Sequence, residues 1–185
     1  MVAVDSGLRR NDGICVAVSV IVALMASPAM ACGEDEGFLF ACQTENPARS
    51  LYLCGRQQDS GEGLAWQGLR FLYRTEKGDE ISYPADPAEG PKQLLFSHLF
   101  RNDLYEAYVR FQRDGLTYRL FFKDAPEGAE PDSGLEIIKD GAITEVIRCG
   151  ERPAWYFDET RNLIACDMEN PFGAQGCSNQ VPKVP

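Results

Sequence analysis

Apolar and polar residues alternate with a period of two along much of this chain, the pattern of strands with one buried face. In DLYEAYVRFQRDG, Tyr105, Ala107, Val109 and Phe111 fall on one face, and Glu106, Tyr108, Arg110 and Gln112 on the other. After Asp114-Gly115 the run LTYRLFFKD places Leu116, Tyr118, Leu120 and Phe122 together. Two alternating runs joined across Asp-Gly predict a two-residue hairpin in a type I′ turn, with positive φ at both positions. A second Asp-Gly, Asp140-Gly141, joins GLEIIK to AITEVIRC, and a turn at Lys77-Gly78-Asp79 joins LRFLYRT to EISYP, where Pro84 ends the strand. GFLFAC, SLYLCG and LLFSHLF read as further strands.

Fifteen of the nineteen aromatic residues lie between Phe38 and Phe122, so the core is expected there. DETRNLIACDM, Asp158 to Met168, suits either a short helix capped by Asp158 or a final strand. YPADPAEGPK and DAPEGAEPDSG are rich in proline, glycine and acid and read as surface loops. Gly90, in the first of them, is therefore expected to tolerate a side chain better than Gly115 does. The fold class is mainly β: an antiparallel β-sandwich or small barrel of about eight strands.

Residues 14–26, ICVAVSVIVALMA, form thirteen apolar or small positions in a row. A membrane-crossing helix takes roughly 20. With Arg9-Arg10 before them and Ala29-Met30-Ala31 after, they describe a signal peptide over 1–31. A β domain over 32–177 and a disordered tail over 178–185 follow, in the periplasm or secreted. Removing 1–31 takes away two acids and two bases and leaves 26 acids against 16 bases. That surplus disfavours nucleic acid and anionic lipid as partners and suits a cationic protein.

Cys15 belongs to the leader, which leaves Cys32, Cys42, Cys54, Cys149, Cys166 and Cys177. An even number in an exported chain reads as a disulfide framework, stapling the β domain. Locality suggests Cys42 with Cys54, Cys149 with Cys166 and Cys32 with Cys177; Cys166 with Cys177 is the rival pairing. Lipid on Cys32, which would put the domain on a membrane, and a free reactive thiol are the other uses of that residue. Ala29 stands where a lipoprotein signal carries a leucine-like residue.

No catalytic, metal or cofactor residues emerge. His98 is the only histidine, there is no C-x-x-C pair, and no G-x-S-x-G elbow or phosphate-cradling glycine loop occurs. Ser97 precedes His98, but neighbours on a strand face opposite sides. Asp124, Glu127, Glu130 and Asp132 do not follow the spacing of a calcium loop. Arg70, Tyr73, Arg74, Tyr108 and Arg110 read as strand residues with arginine on a wet face.

At LYLCG, LRFLYRTEKGDEISYP and VRFQRDGLTYRLFF the chain resembles a group of small exported β-proteins of Gram-negative bacteria with no assigned activity. The likeness implies fold and compartment. More loosely, it is similar to the inhibitors of c-type lysozyme, disulfide-bonded β-barrels that block the enzyme cleft with an S-G-x-x-Y loop and a Y-x-x-x-T-K-G segment. Here SGLEI has Ile137 in place of the tyrosine, and YRTEKG carries its threonine early. That resemblance implies Lys77, Ser133 and Gly134 as partner-contacting positions on loops. The expected function is a non-enzymatic exported binding domain, with hydrolase inhibition as its sharpest form. A structural envelope lipoprotein and a small glycan-acting hydrolase are the alternatives.

Overall fold

The structure, a computed structural model, describes residues 32–59, 64–101, 104–124 and 130–177. The expected signal peptide over 1–31 and tail over 178–185 lie outside the described residues, as does the middle of the second acidic loop. Strands β1 (Glu36–Gln43), β2 (Arg49–Asp59), β3 (Leu64–Thr75) and β4 (Gly78–Tyr83) come first. A 3-10 turn (Pro87–Glu89) and a one-turn helix α1 (Gly90–Gln93) lead to β5 (Leu95–Arg101). Then follow β6 (Leu104–Arg113), β7 (Leu116–Lys123), β8 (Asp132–Lys139) and β9 (Ala142–Arg148). The chain closes with β10 (Ala154–Trp155), α2 (Phe157–Leu163), β11 (Ala165–Cys166) and a 3-10 turn (Gly173–Cys177).

These strands build two sheets packed as a sandwich, in the orders β10-β1-β2-β3-β4 and β11-β5-β6-β7-β8-β9. All neighbours are antiparallel except β11, which runs parallel to β5. The hairpins predicted from sequence form where expected. Asp114 and Gly115 have φ of 52° and 75°, and Asp140 and Gly141 have 51° and 79°, the positive values a type I′ turn demands. The third turn slips by one residue: Gly78 already pairs with Thr75, and a bulge at Tyr73/Arg74 absorbs the shift.

The predicted inward faces meet in one core. Ala107, Val109, Phe111 and Leu120 are fully buried there with Phe40, Leu51, Leu53, Phe71 and Phe96. Tyr83 stacks on Phe111 at 4.6 Å, and Tyr118 stacks on Phe111 at 4.9 Å. Such ring pairs add about 0.5–1.5 kcal/mol each beyond the area they bury.

Two expectations about local segments change. Gly90 is not in a permissive loop, because it is buried with its α-carbon against the Leu69 backbone, and a Cβ would overlap the Leu69 carbonyl. Gly115 has open space around it and is restrained only by its φ, so valine is expected to cost more at Gly90 than at Gly115, the reverse of the sequence expectation. Asp158 to Met168 takes both suggested forms in succession, a helix and then a two-residue strand. Asp158 does not cap the helix; Tyr156 holds that position without a side-chain bond, and Asp158 pairs with Arg161 at 3.2 Å instead.

Three disulfides join Cys32 to Cys54, Cys42 to Cys149 and Cys166 to Cys177, with Cα separations of 5.5, 5.8 and 5.8 Å. Of the pairings expected from locality, only the rival one forms. Cys42 and Cys54 lie on adjacent strands but not across from one another: Cys42 faces Leu51, and Cys54 faces Phe38. They also point to opposite sides of the sheet, Cys42 into the main core and Cys54 into a small outer cluster with Cys32 and Leu72. Cys149 reaches Cys42 because the chain leaving β9 bridges to Thr44, which ties the two sheets together. Three such bonds mark an oxidising, non-cytoplasmic environment. Among the described residues no helix is long and apolar enough to cross a membrane.

Candidate functional site

The outer face of the six-stranded sheet is where polar and apolar chemistry concentrates. Over β5 and β6 it is covered by the segment from Asp167 to Cys177, a strap held at both ends by the Cys166–Cys177 bond. Asp167 N–H donates to the Phe96 carbonyl at 2.8 Å. Its carboxylate receives a two-pronged bond from Arg110, Nε and Nη2 each at 2.7 Å, and Glu169 stands 3.1 Å from the same guanidinium. The bond to Asp167, with its charge and that of Glu169, raises the Arg110 pKa against the opposing effect of burial. Further along, Asn170 knits the strap to itself: its Oδ1 accepts from Phe172 N–H at 2.7 Å and its Nδ2 donates to the Gly173 carbonyl at 3.0 Å.

Beneath the strap, Ser97 is 0% exposed, and Tyr108, buried too, packs its ring 5.4 Å from Phe172; beside it Phe121 is 1% exposed, with Lys123 Nζ 5.2 Å over its ring. Tyr108 Oη donates to Glu106 Oε2 at 2.8 Å. Burial first, and that hydrogen bond second, push its hydroxyl well above the usual tyrosine range. Arg119 lies over the Tyr108 ring at 5.2 Å and donates to Glu136 at 2.6 Å. The wet arginine face expected from sequence is therefore a set of half-buried ion pairs. Arg110 and Tyr108 lie under the strap, and Tyr73 faces the interior. Arg70 pairs with Glu36 and Arg74 with Asp79 on the other sheet.

A cleft of about 460 Å³ opens beside the strap, lined by Tyr83, Gln93, Arg110, Gln112, Asp167 and Glu169 among others. Its two carboxylates share one guanidinium and serve to anchor the strap. A glycosidase needs its pair on either side of a sugar, in environments that divide their roles; these two meet on one cation. Ser97 and His98 take opposite faces of β5, as expected, and do not meet. His98 stacks against Phe96 at 5.7 Å on the inner face, and burial, with Arg161 nearby, lowers its pKa.

Toward β9 the same outer face opens: Glu136 of β8 is still buried under Arg119, but among the described residues nothing covers Ile143 and Val146 of β9. β9 ends the sheet, and six of its seven residues are exposed. Ile143 is 50% and Val146 37% exposed. Ile143 sits opposite half-buried Ile138 across the hairpin, and Val146 opposite Glu136. The neighbour of Val146 on the inner side is Glu145, which with Glu80 of β4 adds to the upward shift that burial imposes on the Tyr73 hydroxyl, against the effect of Arg49. Glu145 of β9 and Glu80 of β4 thus act on one buried hydroxyl, with Arg49 of β2 opposing them.

Lys77, Ser133 and Gly134 are not brought together. Lys77 is exposed in the β3–β4 turn of the five-stranded sheet. Ser133 and Gly134, expected on a loop, are buried inside β8, where they pair with Phe122 and Phe121. The reason is that the acidic loop ends earlier than its composition suggests: Asp132 already pairs with Lys123 and starts the strand. Ile138, Ile143 and Val146 went unmarked in the sequence. Their signal was the doubling of apolar positions, Ile137-Ile138 and Val146-Ile147, which breaks strict alternation and gives a strand pair two apolar faces. Comparison with protein-family models, curated proteins and solved structures finds no match for this chain.

Proposed function

We propose that this chain is an exported, non-enzymatic binding domain that engages another protein through its β8–β9 edge. The observation that carries the reading is the exposed pair Ile143 and Val146 on an edge strand with which no described strand pairs on its outer side, with half-buried Ile138 beside them on β8. An edge of this kind is a template for association unless something covers it. Among the described residues the C-terminal segment lies over β5 and β6 of the same face and leaves Ile143 and Val146 exposed.

Export to the periplasm or beyond, with cleavage after Ala31, fits the three disulfides. The bond from Cys32 to Cys54 occupies the sulfur that a lipid anchor would use, which favours a mature chain without lipid over an envelope lipoprotein. The sharpest form of the reading is inhibition of a basic, lysozyme-type hydrolase. Acidity and the exposed Lys77 turn support it, while the burial of Ser133 and Gly134 moves the expected contact to the β9 edge.

Two measurements test this. Intact mass of the purified exported protein should begin at Cys32 with no acyl mass added; a lipidated mass would favour the structural lipoprotein. Immobilised protein should retain a partner from envelope or secretion fractions, and basic lysozyme should lose activity as the protein is added. The double variant Ile143→Lys with Val146→Lys should keep its circular dichroism and lose binding. Equal capture by that variant would overturn the β9 assignment.

A further inference from the structure

The binding reading leaves the partner's chemistry open, and the geometry of β9 narrows it. We infer that the occupant is an extended segment of a cationic protein, which adds to β9 as a further strand with apolar residues outward and lysine or arginine inward. This inference rests on the β8–β9 edge being the docking surface.

Three observations carry it. First, among the described residues the outward backbone of β9 is closed at one end alone, where Glu45 N–H donates to the Arg148 carbonyl at 2.9 Å. Among the described residues no strand pairs with Ala142 to Ile147 on that side. Main-chain bonds from an added strand would therefore meet open partners.

Second, the two faces of the edge differ in chemistry. Outward lie Ile143 and Val146, with Ile138 behind them. Inward lies Glu145, which acts with Glu80 on the same buried Tyr73 hydroxyl. The other charge on the strand, Arg148, is already engaged by Asp132 at 3.1 Å. A strand entering here meets apolar surface on one side and, on the other, the two carboxylates Glu145 and Glu80 against the single guanidinium of Arg49.

Third, the edge is guarded. The register shift at Ile137/Ile138 bends the hairpin, and an inward charge on an edge strand penalises apolar or acidic segments that try to pair. The guard also acts against a second copy of this chain. Two-fold antiparallel pairing centred on β9 sets Glu145 against Glu145, and each copy carries a net charge of −10. Like charges directly opposite are destabilising. What the guard admits is a segment that brings its own cation, which is specificity by exclusion.

The test uses the whole mature protein and three short end-capped peptides. One alternates valine and lysine, one alternates valine and glutamate, and one is the valine–lysine peptide with alternate backbone nitrogens methylated. Binding is followed by fluorescence, and the site is mapped by amide hydrogen exchange. The valine–lysine peptide should slow exchange across Ala142 to Ile147. The glutamate and N-methylated peptides should each bind at least about tenfold more weakly, a loss of about 1.4 kcal/mol, and Glu145→Lys should reverse the preference between lysine and glutamate. Equal binding of the methylated peptide at β9 would overturn strand addition while leaving β9 a docking surface. Strand addition is likewise overturned, and the docking surface kept, if no peptide binds but Ile143→Lys with Val146→Lys still abolishes partner capture. No peptide effect at β9 together with unchanged capture by that variant would overturn both readings. A dimer through β9 in sedimentation of the protein alone would overturn the cationic partner.

Discussion

Over β5 and β6 the outer face of the six-stranded sheet lies beneath the chain's own C-terminal segment, with Phe121 of β7 buried beside it, whereas among the described residues nothing covers Ile143 and Val146 of β9. Both halves carry large side chains: Tyr108 and Phe121 in the first, Ile138, Ile143 and Val146 in the second. The first half is sealed by a disulfide, a forked Arg110–Asp167 pair and an aromatic contact. The second exposes Ile143 and Val146 and is guarded only by a bulge and Glu145. On the proposed reading, stability and recognition divide along a single sheet: the covered half holds the fold, and the exposed β9 edge is what a partner would use.

The largest effect expected is at the strap's anchor. Arg110→Leu leaves the Asp167 carboxylate, 3% exposed, without its cation, and removing one partner of a buried pair costs about 3–5 kcal/mol. Urea unfolding measures it. The double variant Arg110→Leu with Asp167→Leu should recover much of the loss; if it does not, the pair is not what holds the strap.

Next comes the strap's closure. Replacing Cys166 and Cys177 together by serine opens a short loop, worth about 2–3 kcal/mol on the chain-entropy account. It should also raise binding of a hydrophobic dye as Tyr108 and Phe121 become reachable. Unchanged dye binding would show that the strap stays seated without its bond, and the two halves would then differ less than their covalent structure implies.

Acid should loosen the halves unequally. His98 has a folded pKa below its ordinary value of about 6.5, so the unfolded chain binds the proton more readily and stability falls as pH drops through that value. Its strand, β5, belongs to the covered half. Hydrogen exchange in β5 should accelerate between neutral pH and mildly acidic pH, after correction for intrinsic rates, and His98→Asn should flatten that response. Exchange in β9 should be indifferent to His98. An identical pH response in the variant would remove His98 as the cause.

Smallest of all are the effects on the exposed β9 edge. Ile143→Ser and Val146→Ser, at exposed positions, should change unfolding free energy by no more than about 0.5 kcal/mol, although both are large apolar residues. A loss comparable to that of a buried isoleucine would mean the strip is part of the core and not a surface for partners.

The sequence by itself determined the strands, because period-two alternation and Asp-Gly turns are local and their physics is local. Asp114-Gly115 and Asp140-Gly141 set their hairpins without help from the rest of the chain, and the inward set from Tyr105 to Phe122 follows from the register they impose. It also pointed to six paired cysteines, through their even number once Cys15 is assigned to the expected signal peptide. Tertiary structure alone decided which cysteines meet. Cys42 and Cys54 look adjacent in a hairpin, but a bulge and the alternation of faces send one inward and the other outward. It decided that Gly90 is crowded, since the crowding comes from Leu69 on a distant strand. The fate of the outer face was settled there too. Arg110 and Tyr108 read as wet until a segment more than fifty residues further along the chain lies across them, and no local pattern announces that contact. Whether an apolar doubling such as Val146-Ile147 is buried on both sides or exposed on one depends on sheet order, which places β9 at the edge. Sheet order is a long-range property, so the candidate site lay in residues that the sequence could show but not rank.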